Sequence, residues 1–241
     1  MTGKEETSRD MTAVDAEAPG ALPLTLQRLL APVGGDNHCG EDLRYEGTYD
    51  AVKEAREEDA NLPQGVWERE LKKADWDAVE RICREALELR SKDLQLAVWW
   101  LEATIYHYGF HGCLMGIKLI NGLIEAYWEG LYPLPDESGM EPRVAPLVWL
   151  NEKVSTKLKM VPITAPRSGD ERAYCYADWE HALHIEKLSI KDKSLVPNAE
   201  NTKQATRAKF LGSVMFTPAE FYAQQTQQLG EALTELASLY Y

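Results

Sequence analysis

Few groupings in this chain combine residue types and spacing that could support chemistry. The strongest is His181 and His184, three apart in a helical stretch, with Cys175, Asp178 and Glu180 just upstream. Imidazoles at that spacing can share a zinc ion, but a structural zinc site wants four ligands and a catalytic one three plus water. The chemical alternative this grouping supports is a metal-dependent hydrolase using His181, His184 and Cys175. Neither spacing is a signature, so two ordinary, partly exposed histidines are the preferred reading. His107 and His111 straddle a predicted helix break and need not share a face; capping or core roles are expected of them. With 39 Asp and Glu in the chain, no carboxylate pair stands out as acid and base. The sequence contains no phosphate-binding glycine loop, dinucleotide fingerprint, nucleophile elbow or H-E-x-x-H. Cys39, Cys83, Cys113 and Cys175 lie 30 or more residues apart and form no C-x-x-C pair. They read as reduced thiols of a cytosolic protein.

The elements that must position everything else are organised around residues 91–133. Leu94, Ala97, Val98, Leu101, Ile105 and Tyr108 fall on one helical stripe, and Leu96, Trp99 or Trp100, Ala103 and Tyr106 on a second. Only a narrow polar seam remains, at Gln95, Glu102 and Thr104, so this helix must be buried on several sides. Leu114, Ile117, Ile120, Ile124, Tyr127 and Leu131 repeat the pattern. Gly109 and Gly112 punctuate the two halves, Ser91 is the expected N-cap, and Pro133 closes the second half. The spacing predicts a buried helical hairpin with Leu101 and Ile120 at its centre. Glu102, Lys118 and Glu125 interrupt every apolar run short of the ~20 residues a bilayer requires, which excludes a transmembrane hairpin. Gly112 and Gly116 form a small-x-x-x-small pair, read as close packing of helix backbones.

Around the hairpin, residues 1–20 are polar, acidic and aperiodic, the pattern of a disordered tail. Helices are predicted over 22–31, stopped by Pro32, and over 46–59, with Tyr49, Val52 and Ala55 inward. Residues 61–65 form a loop, with Val66 and Trp67 anchored after it. Asp75 caps a helix carried to Arg90 by Trp76, Val79, Ile82, Cys83, Ala86, Leu87 and Leu89. A proline-rich link over 133–142 leads to a helix over 144–160, with Pro146 in its first turn. Residues 161–176 lose the helical period and suggest a small β-hairpin across a turn at 167–170. Short helices follow over 178–188 and 200–211. Thr217, Pro218 and Glu220 form a capping-box start for a last helix reaching Tyr241. With no stop signal at Tyr241, the chain is expected to be a domain excised from something longer. The fold class is therefore all-α: a multi-helix bundle around a central buried hairpin, with residues 21–241 as a single domain.

Hydrophobic residues make up 44% and charged residues 27% of the 241, a globular balance. A net charge of −13 argues against a nucleic-acid partner. The charge is uneven, because residues 151–211 hold 11 Lys and Arg against 8 Asp and Glu. Such a surface suits protein partners. The N-terminus lacks the apolar core of a signal peptide.

Several uncommon segments occur in order: Gly40-Glu-Asp-Leu-Arg-Tyr-Glu-Gly-Thr-Tyr-Asp50, Ala55-Arg-Glu-Glu-Asp59, Leu62-Pro-Gln-Gly-Val-Trp67, Ala74-Asp-Trp76, Ser91-Lys-Asp-Leu-Gln-Leu-Ala97, Tyr127-Trp128 and Leu131-Tyr-Pro133. Together they resemble the ImpA-type N-terminal domain of TssA, an assembly subunit of the bacterial type VI secretion system, over about residues 22–160. The resemblance implies a cytoplasmic, non-enzymatic scaffold without cofactors, contacting baseplate, tube and sheath proteins. It further implies that ring formation belongs to a C-terminal region this chain lacks, leaving the chain alone a monomer or weak dimer. Among matched positions, Arg44, Tyr49, Arg56, Asp59, Gln64 and Trp67 are candidates for partner binding. The competing role for them is an arginine–carboxylate and aromatic network that fixes the loop against the core.

Overall fold

A computed structural model of the chain describes residues 23–59, 71–167, 172–191 and 205–238. The described residues form eight helices and no strand: α1 (Leu24–Leu30), α2 (Thr48–Arg56), α3 (Trp76–Leu89), α4 (Leu94–Tyr127), α5 (Glu141–Leu158), α6 (Tyr176–Lys191), α7 (Arg207–Phe216) and α8 (Ala219–Ser238). This is the all-α class read from the sequence. The expected tail over 1–20, the loop with Val66 and Trp67, the start of the helix placed at 200 and the end at Tyr241 lie outside the described residues.

α4 is the predicted hairpin. Gly109 has φ 59° and ψ −130°, a conformation open to a residue without Cβ, and the helix reverses there. In a straight helix, residues 101 and 116 would stand about 22 Å apart. Here the Leu101 side chain packs on Gly116, and the Thr104 hydroxyl lies 3.0 Å from the Leu101 carbonyl and 3.1 Å from the Gly112 carbonyl. A Cβ on Gly112 would overlap the Thr104 carbonyl, so the two arms touch backbone to backbone. Gly109 alone makes the break that the sequence suggested at both glycines; Gly112 lies inside the second arm. Leu101 and Ile120 are fully buried. Neither α4 nor any other described helix is long and apolar enough to cross a membrane.

The segment before α4 departs from expectation. Asp93, not Ser91, is the N-cap: its Oδ1 accepts from the amides of Gln95 (2.8 Å) and Leu96 (3.1 Å). Helix cannot begin at Ser91, because the backbone there is extended and bridged to Gly40, as that of Asp93 is to Tyr132. Lys92, between them, is fully buried. Its Nζ donates to the carbonyls of Leu29 (2.8 Å) and Leu87 (2.6 Å), in the last turns of α1 and α3. Orphan carbonyls and the negative dipole ends of two helices thus converge on one cation. Burial draws the Lys92 pKa down to about 8.

The other elements pack on this centre. α3 has its predicted cap, Asp75 Oδ1 accepting from the Ala78 amide at 2.9 Å. Its buried stripe runs Trp76, Val79, Cys83, Ala86 and Leu87. Leu89, expected on that stripe, is 68% exposed; at 100° per residue it lies about a third of a turn from the stripe's centre. α5 starts at Glu141 rather than 144, with Pro142 in its first turn. Pro146 is therefore inside the helix, where its missing N–H leaves the Pro142 carbonyl without its usual helical partner. Arg143 is buried and donates to the carbonyls of Trp128 (2.8 Å), Leu131 (2.7 Å) and Pro133 (3.1 Å), closing the end of the second arm.

The hairpin expected over 161–176 reduces to one bridge, Pro162 with Cys175. Pro162 and Pro166 lack the amide protons that a longer ladder would need. α6 starts two residues early because Asp178 reaches back to accept from the Cys175 amide (3.0 Å), the role of the acidic residue in a capping box. α7 begins at Arg207, capped by Thr206. A small second cluster of Tyr174, Ala205 and Phe210, with Trp179 and Val214 against it, fixes α6 to α7.

Thr217 does not cap the last helix through the predicted box. Its hydroxyl accepts from the Ala165 amide (2.9 Å) and donates to the Ser213 carbonyl (2.8 Å), so it ties the 161–165 segment to the end of α7. Thr217→Ala is expected to lose about 1–2 kcal/mol in urea denaturation, while Thr217→Ser keeps most of it. An alanine variant of parental stability would mean that this tie contributes nothing.

Candidate functional site

Tyr49 and Val52 seat α2 on the core, and one turn later Arg56 arrives over Glu102 of α4. Arg56 Nε and Nη2 lie 2.8 and 2.6 Å from Glu102 Oε2, and Lys157 Nζ lies 3.5 Å from Oε1. The guanidinium also sits over Trp149 (5.0 Å) and Trp99 (5.4 Å), and Lys157 over Trp76 (5.4 Å). Glu102 is only 4% exposed, so the seam read as a polar stripe is an interior ion pair joining α2, α4 and α5. A carboxylate at that depth requires its partners.

A second buried connection lies beside it. The Tyr49 hydroxyl donates to the Asp93 carboxylate at 2.8 and 3.0 Å, and its ring meets Trp99 edge-on at 5.0 Å. Burial raises the Asp93 pKa to about 6, against the lowering effect of the Leu96 amide, the Tyr49 hydroxyl and the Gln95 amide. The folded state thus binds this proton more tightly than the unfolded state. The favourable contribution is complete below about pH 4 and is lost as pH rises through 6. Relative to Asp93→Asn, the parent is expected to lose on the order of 3 kcal/mol between about pH 4 and pH 7. Urea denaturation of both proteins at the two pH values checks this; a constant difference would place Asp93 in a less buried setting.

These contacts show where four of the six candidate positions sit within the domain. Tyr49 and Arg56 face inward. Asp59 meets Lys72, its carboxylate accepting from the Lys72 amide (2.8 Å) and its own amide donating to the Lys72 carbonyl (2.9 Å). Arg44 is half-buried, with its guanidinium 5.8 Å from the ring of Tyr45, which is among the most exposed side chains. Gln64 and Trp67 lie outside the described residues. Lys92, Asp93, Glu102 and Arg143 were not singled out from the sequence. A charge inside an otherwise apolar helix was the available signal for Glu102; the others touch backbone carbonyls and amides that no side-chain pattern reveals.

The histidine grouping does not assemble. His181 and His184 are exposed, whereas Cys175 is buried with its Sγ 3.3 Å from Asp178 Oδ2. Among the described residues, no group of three or more His, Cys, Asp or Glu could hold a metal ion. All four cysteines are buried and unpaired as disulfides. His107 Nδ1 lies 2.7 Å from Glu80 of α3. A cleft of about 580 Å³ opens nearby, lined by Glu80, Arg81, Arg84, Trp100 and His111 among others.

The resemblance carried by the ordered motifs agrees with comparison to known proteins. The family described as ImpA, N-terminal, type VI secretion system matches residues 30–152, more than half of the chain. The chain belongs to that family. It is 32% identical over 115 residues to the type VI secretion system component TssA1 of Pseudomonas aeruginosa, a match covering 45% of this chain and 31% of that protein. The chain therefore aligns with less than a third of that relative's length. Among solved structures, the N-terminal domain including the conserved ImpA_N region of the TssA component from Burkholderia cenocepacia is similar with a TM-score of 0.76. Sequence identity there is 28%, covering 92% of this chain and 83% of that one.

Proposed function

We propose that this domain is a non-enzymatic scaffold module acting in the bacterial cytoplasm during assembly of the type VI secretion tail. In this reading it contacts baseplate, tube or sheath proteins, and the full-length protein forms a ring through a further region. The supporting observation is the family match over 30–152, whose ordered motifs build the Arg56–Glu102 and Tyr49–Asp93 connections. In those connections charged and polar residues hold helices together rather than converge on a substrate. In this reading a partner meets the motif at Arg44, with exposed Tyr45 beside it, and at Asp59. The test is capture of each purified baseplate, tube and sheath protein by this chain, with Arg44→Ala and Tyr45→Ala as surface variants. Binding of one protein, reduced by either variant, supports the reading; no binding to any of them overturns it. By light scattering the chain alone is expected to be a monomer or weak dimer, since a net charge of −13 opposes close packing of many copies.

A further inference from the structure

Met140, the cap residue of α5, and Val144 and Val148 within the helix follow one another at four-residue spacing and are 40%, 43% and 50% exposed. With Ala145 and Trp149 they line a shallow, open groove of about 560 Å³, all of whose lining comes from α5 and its cap residue. The charged residues lining it are Glu141 and Glu152. Eleven residues make three turns, so the two glutamates lie on one line of the helix, about 16 Å apart. Of the cations around it, Arg56 and Lys157 are held by Glu102 and Lys159 by Glu180 at 2.9 Å, and Lys153, next to Glu152 in sequence, points about 100° further round the helix. The groove is thus apolar along its floor and carries a carboxylate at each end.

We propose that this groove docks an amphipathic helix of another protein, with apolar side chains at three- and four-residue spacing and a Lys or Arg at each end. Burying the half-exposed row supplies affinity, and the glutamates set charge and register. A second copy fits poorly. A two-fold arrangement would set Glu141 of one copy against Glu152 of the other, between molecules of net charge −13. Residues 1–20 of the same chain fit poorly too, with five acidic against two basic residues. The proposal is independent of whether the helix belongs to a secretion apparatus.

The test uses the full chain and two synthetic helical peptides of roughly four turns. Both carry leucines along one face; one has a lysine at each end of that face, the other a glutamate. Labelled-peptide anisotropy is expected to show saturable binding of the lysine peptide, with the glutamate peptide at least roughly tenfold weaker. The Val144→Ser/Val148→Ser double variant, altered only at half-exposed positions, is expected to keep its melting temperature and lose at least roughly tenfold in affinity. Glu141→Lys/Glu152→Lys is expected to reverse the peptide preference. Equal affinity for both peptides, unchanged binding by the serine variant, or no saturation by about 1 mM overturns the proposal. So does a parent dimer in sedimentation that the serine variant abolishes, which would make a second copy the occupant.

Discussion

Gly112→Ala is expected to cost at least about 4 kcal/mol, enough to unfold much of the population of a marginally stable domain. The added Cβ would overlap the Thr104 carbonyl, a backbone atom held in the opposite arm of α4. Relief requires the arms to separate, and that opens the packing of every helix resting on them. Gly116→Ala is the informative comparison, because its Cβ would meet only side-chain atoms of Leu101 and no backbone atom, although the Leu101 Cβ is among them and yields only if the arms shift slightly. It is expected to cost less, about 1–3 kcal/mol. Urea denaturation followed by circular dichroism compares the two. A Gly112 variant as stable as the Gly116 variant would mean that the arms do not meet through their backbones.

Arg56→Ala is expected to lose about 3–5 kcal/mol, because it leaves Glu102 nearly fully buried with only the more distant Lys157 beside it. The guanidinium's contacts with Trp99 and Trp149 disappear as well. Removing both charges, as in Arg56→Met/Glu102→Leu, is expected to recover most of the loss, since the cost lies in the unpaired carboxylate. Denaturation of the parent, the two single variants and the double variant forms the cycle. Unchanged stability in Arg56→Ala would free this residue for a purely external role.

The hairpin was legible because its evidence is periodic: apolar residues at three- and four-residue spacing, interrupted by glycine. Asp75 was legible as a cap for a similar reason, since an acidic residue directly before an apolar stripe has few other local roles. Ser91 and Thr217 were misread because capping potential is local while their settings are not. Gly40 and Tyr132 hold the backbone around Ser91 and Asp93 extended, and the Ala165 amide engages the Thr217 hydroxyl from 52 positions away. Glu102 was legible only as part of a narrow polar seam because its partners come from α2 and α5, separated from it by 46 and 55 positions. Of the candidate site, the sequence indicated the network of Tyr49 and Arg56 as one of two roles. It could not show which polar atoms face inward, since that depends on how the helices cross.

The buried segment at Ser91, Lys92 and Asp93 sets the order in which this protein exchanges its amide hydrogens with solvent. The Lys92 amide bonds to the Cys39 carbonyl, the Tyr132 amide to the Lys92 carbonyl, the Leu94 amide to the Tyr132 carbonyl and the Glu41 amide to the Arg90 carbonyl. None of these bonds lies within a helix, although Leu94 opens α4 and Arg90 caps α3, so the loss of intrahelical bonds alone does not break them. They open only when three segments distant in sequence separate, which also withdraws Lys92 from α1 and α3. Deuterium is therefore expected to enter them at the rate of global opening, as exchange followed by mass spectrometry would show. In a protein whose regular structure is all helix, the slowest clock runs in a loop.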